Sequence, residues 1–180
     1  MKIKTVKKFL IVIFLITTAF KIDAQTDKIP RDATYYKSKG YQVFPEFGFA
    51  VKCLCTLGDI SNQMKGDNDL SYGCVVNKDS QDKLIMYQIL VKKVPEGYKH
   101  ASAAKQKEFE DKISSFFTGD KKKVVFNNVN AIVVKYNHNN QFTGKAIIFI
   151  KNGATFTFNL MTNDGLEQKF NQLSNDIKFF

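Results

Sequence analysis

Two strand-like runs flank the dipeptide Asn152-Gly153: F-T-G-K-A-I-I-F-I-K from Phe142 and A-T-F-T-F-N-L-M ending at Met161. Asn-Gly between such runs is the strongest short-range hairpin signal, because a type I′ turn requires positive φ at both central residues. Closing the chain there pairs Lys151 with Ala154, Phe149 with Phe156 and Ile147 with Phe158. Strand alternation then gathers Ile147, Phe149, Phe156, Phe158 and Leu160 on one face. Ile148, Ile150, Thr155, Thr157 and Asn159 fall on the other, a mixed face expected to be only partly covered. The hairpin constrains the fold; it does not name a function.

The chain begins with a pattern expected of a removable export signal. Lys2, Lys4, Lys7 and Lys8 precede an apolar run from Phe9 to Phe20, and Ile22-Asp23-Ala24 ends in the small residue expected before a cut. Residues 1–24 are therefore read as a cleaved secretory signal peptide, with a secreted or periplasmic destination. The run is shorter than the roughly 20 residues of a spanning helix; retention as an uncleaved membrane anchor is the rival reading. Without Lys2, Lys4, Lys7, Lys8, Lys21 and Asp23, the 156 remaining residues carry 22 basic and 16 acidic groups, a formal charge of +6 against +10 for the whole chain. Such a balance favours an anionic partner or an unidentified protein with an acidic surface. Arg31 is the sole arginine, which argues against nucleic acid, whose phosphates are read by bidentate guanidinium groups.

Residues 25–40 are polar and without period, an exposed lead-in to one domain spanning 41–180. Phe47–Cys55 alternates as a strand, Ser71–Val76 as a second, and Leu84–Val94 as a third that is apolar on both faces and hence central. A helix is expected over Ala101–Phe117, with Phe109, Ile113, Phe116 and Phe117 as its core stripe and Gly119 as its stop. Lys121–Phe126, Val129–Tyr136 and the two hairpin arms make a four-strand antiparallel meander, since links this short permit no parallel crossover. A closing helix carries Leu166, Phe170, Leu173 and Ile177, with Asp164 and Glu167 placed for a capping box. The expected class is α+β: an antiparallel sheet of about six to seven strands packed by two helices.

The opening Phe47-Gly48-Phe49-Ala50-Val51, the meander after the first helix and the closing L-x-x-x-F-x-x-L helix running into Ile177-Lys178-Phe179 are together similar to the Mog1/PsbP-like family of α/β/α sandwiches. That resemblance implies a protein acting through binding and assembly. The family has no common active site, so no residue inherits a role.

Cys53, Cys55 and Cys74 are the side chains with most chemical potential. In an exported protein the expectation is one disulfide and one leftover thiol. Cys55–Cys74 is the preferred pair and Cys53–Cys74 the alternative. C-x-C on a strand lacks the helix N-terminus that activates a redox pair. A thiolate metal site would need a fourth ligand from His100 or His138. The same set, Cys53, Cys55 and Cys74 with His100 or His138, is what a small exported enzyme or redox protein would use. Asp59, Asp67 and Asp69 share a loop but lack the full calcium-binding pattern. Lys121-Lys122-Lys123 with Lys92 and Lys93 is a basic cluster best read as solvated. No phosphate loop or nucleophile elbow is present. The expectation is a non-catalytic binding or assembly protein without a cofactor, its ligand-binding residues unassigned.

Overall fold

In the computed structural model, residues 30–63, 69–138 and 141–180 are described. The meander forms as its turns dictate. Strands β6 (Gly119–Phe126), β7 (Val129–His138), β8 (Phe142–Lys151) and β9 (Ala154–Thr162) follow one another antiparallel. Asn152 and Gly153 take φ of 50° and 77°, and Lys151↔Ala154, Phe149↔Phe156 and Ile147↔Phe158 are the pairs. Asn127 and Asn128, at φ 48° and 63°, close β6–β7 by the same type of turn.

Strand β9 also pairs with β5 (Ile85–Lys93), which pairs with β4 (Asp69–Val76), which pairs with the two-residue β3 (Gly58–Asp59). The result is a seven-stranded antiparallel sheet in the order β3-β4-β5-β9-β8-β7-β6. Its edges are blunted: β3 is very short, and β6 carries Asp120 and Lys121–Lys123 along its exposed length. The lysine run thus sits where charge discourages pairing with another chain.

The chain before the large sheet builds a second layer that has no counterpart in the sequence reading. β1 (Gln42–Phe44), β2 (Phe49–Val51) and β10 (Ile177–Phe179) form a three-stranded antiparallel sheet with β2 in the middle. The strand expected over Phe47–Cys55 is therefore only three residues long. A 3-10 turn at Pro45–Phe47 ends in Gly48, at φ 65°, and regular pairing stops at Val51. A side chain at Gly48 would meet the Phe180 carbonyl at 3.1 Å, and that residue's N–H donates to the Gly48 carbonyl at 3.0 Å. Residues 25–40 are likewise not all exposed lead-in. Asp32 caps helix α1 (Ala33–Ser38) by accepting from the Tyr35 N–H at 2.9 Å, and Tyr36 is buried with its ring stacked on Phe180. The compact unit begins at Asp32.

Helix α2 (Ala103–Ser114) is shorter than Ala101–Phe117. Gly97, at φ 81°, leads into a 3-10 turn at Tyr98–His100, and Ser102 caps the helix only after it. At the other end Ser115 caps the helix, so Phe116 and Phe117 leave the helical phase: Phe117 packs on Tyr136 at 5.0 Å, while Phe116 is 80% exposed. Gly119 does not stop the helix; it opens β6.

Helix α3 (Leu166–Asn175) forms without the expected capping box. Gly165 occupies the cap position in a left-handed conformation, leaving Asp164 one residue too early. Its carboxylate instead accepts from Lys169 Nζ at 2.8 Å, and Glu167 turns to Lys145 Nζ at 2.5 Å. Lys135 and Lys145 face each other across β7–β8, and Glu167 bridges both, relieving a like-charge pair. Ile177 falls beyond the helix in β10 but is buried as its apolar character requires.

One face of the large sheet packs against α3 and the small sheet, and here the core lies. Phe49 in the small sheet's central strand inserts edge-on between Phe156 and Phe158, at 5.6 and 5.4 Å, and stacks on Phe44 at 4.6 Å. Phe170 and Leu173 from α3 complete it. The opposite face lies under α2. It is more fully covered than its mixed composition suggested, since Ile148, Thr155, Thr157 and Asn159 are all buried. Part of that burial is polar pairing. Tyr136 Oη donates to Asn159 Oδ1 at 2.7 Å, and Asn159 Nδ2 donates to Gln88 Oε1 at 3.4 Å. The Tyr136 ring reaches Asn159 by lying across Gly144, where any Cβ would come within 2.3 Å of it.

Candidate functional site

Cys55 and Cys74 are disulfide-bonded, with Cα atoms 6.0 Å apart, which leaves Cys53 as the free thiol. The bond links the segment after β2 to strand β4, tying the small sheet to the outer part of the large one. Cys53 is partly buried beside Tyr87, with Asp176 nearby. Burial, reinforced by the Asp176 carboxylate, pushes its thiol up to about 12 from a usual 9.0. A thiol raised in this way is a poor nucleophile, because the thiolate is the reactive form. It favours the folded state below the unfolded thiol's pKa, and that contribution fades as pH rises towards 12. At pH 8, native Cys53 is expected to react with iodoacetamide about a thousandfold more slowly than an ordinary thiol. Labelling should become ordinary once urea unfolds the chain; rapid labelling of the native protein would contradict this environment.

The histidines lie elsewhere. His100 closes the 3-10 turn that leads into α2, and His138 ends β7; both are exposed. Tyr87, and with it Cys53, belongs to the face that packs on α3, whereas α2 covers the other face. The cysteine–histidine arrangement of the enzyme reading is thus not assembled. Among the described residues, no group of three or more His, Cys, Asp or Glu side chains is disposed to hold a metal. Asp59 accepts from Ser61 Oγ at 2.6 Å and from its N–H at 2.9 Å, which holds its carboxyl below the usual range. Asp67 lies outside the described residues.

The feature best suited to hold a ligand is a groove of about 510 Å³ between α2 and the sheet, within the range of small-molecule sites. Its floor is Ile132 from β7, Ile148 and Ile150 from β8, and Thr155 from β9. Register explains the grouping: Ile132 pairs with Ile148, and Ile150 with Thr155. Thr155 is 4% exposed, and its hydroxyl has no hydrogen-bond partner among the described residues. A buried hydroxyl left unpaired costs about 1–3 kcal/mol, and this one is sealed from solvent as well.

The roof and rim are polar. Tyr98 Oη donates to Glu110 Oε1 at 3.1 Å, and Lys107 pairs with Asp111 one helical turn on. Both helix carboxylates are thereby engaged. Lys123 reaches the groove from β6; the Lys107 hydrogen bond, with a smaller contribution from the Lys123 charge, holds the Asp111 carboxyl below the usual range. Sequence reading placed Ile148, Ile150 and Thr155 together on the second face of the hairpin but assigned them no role. Their convergence with Ile132 depends on the β7–β8 register, and the unpaired hydroxyl on what α2 does not supply.

No family model matches the chain, and no curated protein matches it. Solved structures similar to it include a protein of Bacteroides thetaiotaomicron VPI-5482, determined at 1.50 Å. Identity there is 12% and the TM-score 0.47, over 78% of this chain and 48% of the other. This chain thus spans about half the length of that structure. Another is the solution structure of the PsbP protein CyanoP from Synechocystis sp. PCC 6803, with 9% identity and a TM-score of 0.43, over 78% of this chain and 91% of the other. The resemblance to PsbP is one of fold, and neither likeness bears on activity.

Proposed function

We propose that this protein is an exported, non-catalytic binding module whose ligand seat is the groove between α2 and the large sheet. The observation that carries the reading is a groove of about 510 Å³ with a floor of three isoleucines beneath a polar rim. Apolar clefts with a few convergent polar groups are the usual form of a small-molecule site. A raised, sheltered thiol and two distant histidines offer no comparable support for covalent chemistry. Export is supported by the leader-like residues 1–24 and by a disulfide, a bond favoured in oxidising compartments. Among the described residues no helix is long and apolar enough to cross a membrane.

The reading is tested with 8-anilinonaphthalene-1-sulfonate, an amphipathic dye whose emission rises in apolar sites. Saturable binding of one dye per native chain is expected, and Ile132→Trp, which fills the half-buried end of the floor, should abolish it while thermal unfolding stays cooperative. Absence of saturable emission, or emission unchanged in a folded Ile132→Trp variant, would overturn the reading.

A further inference from the structure

The charges that border the groove cancel. Its lining carries two lysines, Lys107 and Lys123, and two carboxylates, Glu110 and Asp111. Lys107 pairs with Asp111, Glu110 accepts from the Tyr98 hydroxyl, and the Lys123 charge acts on Asp111. A ligand with a net charge of either sign would meet a rim group of its own sign and would also lose water on entering. An uncharged one incurs neither penalty. The floor favours an aliphatic body, and the lining supplies an uncharged polar side chain beside it, Asn130. One step beyond the Ala131↔Phe149 pair, Asn130 stands opposite Ile150, and by alternation it shares a face with Ile132 on its own strand. Neighbouring strands are about 4.8 Å apart and alternate residues of one strand about 7 Å, so a single small molecule reaches all three. Asn130 is exposed, and its carboxamide both donates and accepts hydrogen bonds. The Thr155 hydroxyl, sealed from solvent, takes no part.

We propose that the groove binds an uncharged aliphatic molecule with an amide or hydroxyl head, its chain on Ile132, Ile148 and Ile150 and its head hydrogen-bonded to the Asn130 carboxamide. The assignment rests on the groove being the ligand seat and adds the chemical class of the ligand. It involves no covalent step. It also accounts for the engaged state of the rim: carboxylates and ammonium groups that satisfy one another leave no excess charge beside the isoleucine strip to select an ionic head.

The test is displacement of N-phenyl-1-naphthylamine, an uncharged dye that emits in apolar sites, by three probes of one chain length: octanamide, octanoate and octylammonium. The first two have nearly the same shape and differ in charge. Octanamide is expected to bind about tenfold more tightly than either ion, with an affinity insensitive to added salt. Asn130→Ala, a change at an exposed position, should weaken octanamide about fivefold, the size of one net hydrogen bond, and leave dye binding intact. An ion that binds as tightly as octanamide, or octanamide binding unchanged by Asn130→Ala in a protein that still holds the dye, would overturn the assignment while leaving the groove as a binding site. Failure of all three probes to displace bound dye also overturns it. Absence of saturable emission from this dye and from 8-anilinonaphthalene-1-sulfonate would remove the groove reading itself, so the two failures are distinct.

Discussion

Phe49→Ala is expected to cost about 3–5 kcal/mol of folding free energy, the range for deleting a fully buried phenylalanine. The effect follows from where the ring sits. Phe49 opens the small sheet's central strand, pairing with Phe44 on one side and Phe179 on the other. Its ring is inaccessible to solvent and touches Phe156 and Phe158 of the large sheet edge-on. Removing it empties the seam between the two sheets, where rigid strands on both sides leave little freedom to collapse into the space. Urea unfolding should show a lower midpoint with an unchanged slope. A cost below about 1 kcal/mol, the scale of an exposed site, would mean that the small sheet does not share the core of the large one.

Loss of the Cys55–Cys74 bond is the second large effect. The bond closes a loop between residues 19 apart in sequence, for which the chain-entropy argument gives about 3 kcal/mol. The double variant Cys55→Ser/Cys74→Ser should therefore melt roughly 10 °C lower, given about 2–4 °C per kcal/mol in a domain of this size. Treating the wild type with dithiothreitol should reproduce most of that shift. Cys53→Ala, which removes a thiol outside the bond, should cost far less. If Cys53→Ala and the double variant proved equally damaging, the pairing would be in question.

Both effects concern parts of the molecule that the sequence revealed unevenly. The Asn152-Gly153 turn dictates its own register, because only one closure puts two left-handed residues at its tip, and every pair from Lys151↔Ala154 to Ile147↔Phe158 follows. Long alternating runs such as β5 are equally plain. Three-residue strands are not: Gln42–Phe44, Phe49–Val51 and Ile177–Phe179 are too short to show a period. Their pairing joins chain ends more than a hundred residues apart, so no local pattern announces the second sheet. Helix α3 shows the same limit at finer scale. Asp164 and Glu167 have the spacing of a cap, yet Lys169 and Lys145 take their carboxylates once the tertiary structure brings those cations near.

The groove was half legible. Alternation alone separated Ile148, Ile150 and Thr155 from the phenylalanine face. What alternation does not convey is which element lies over them, and α2 is a poor guide: its sequence stripe included Phe116, which turns out to face solvent. The phase break after Ser114 leaves the helix with Ser114 as its only fully buried residue, so α2 roofs the isoleucines without filling the space above them.

The most direct test of the groove as the ligand seat is isoleucine-methyl NMR during titration with 8-anilinonaphthalene-1-sulfonate. The methyl signals of Ile113, Ile132, Ile148 and Ile150 should shift together and saturate, while Ile85, Ile89, Ile147 and Ile177, on the α3 side of the large sheet, stay in place. Shifts concentrated in the second set, or none in the first, would contradict a binding seat beneath α2.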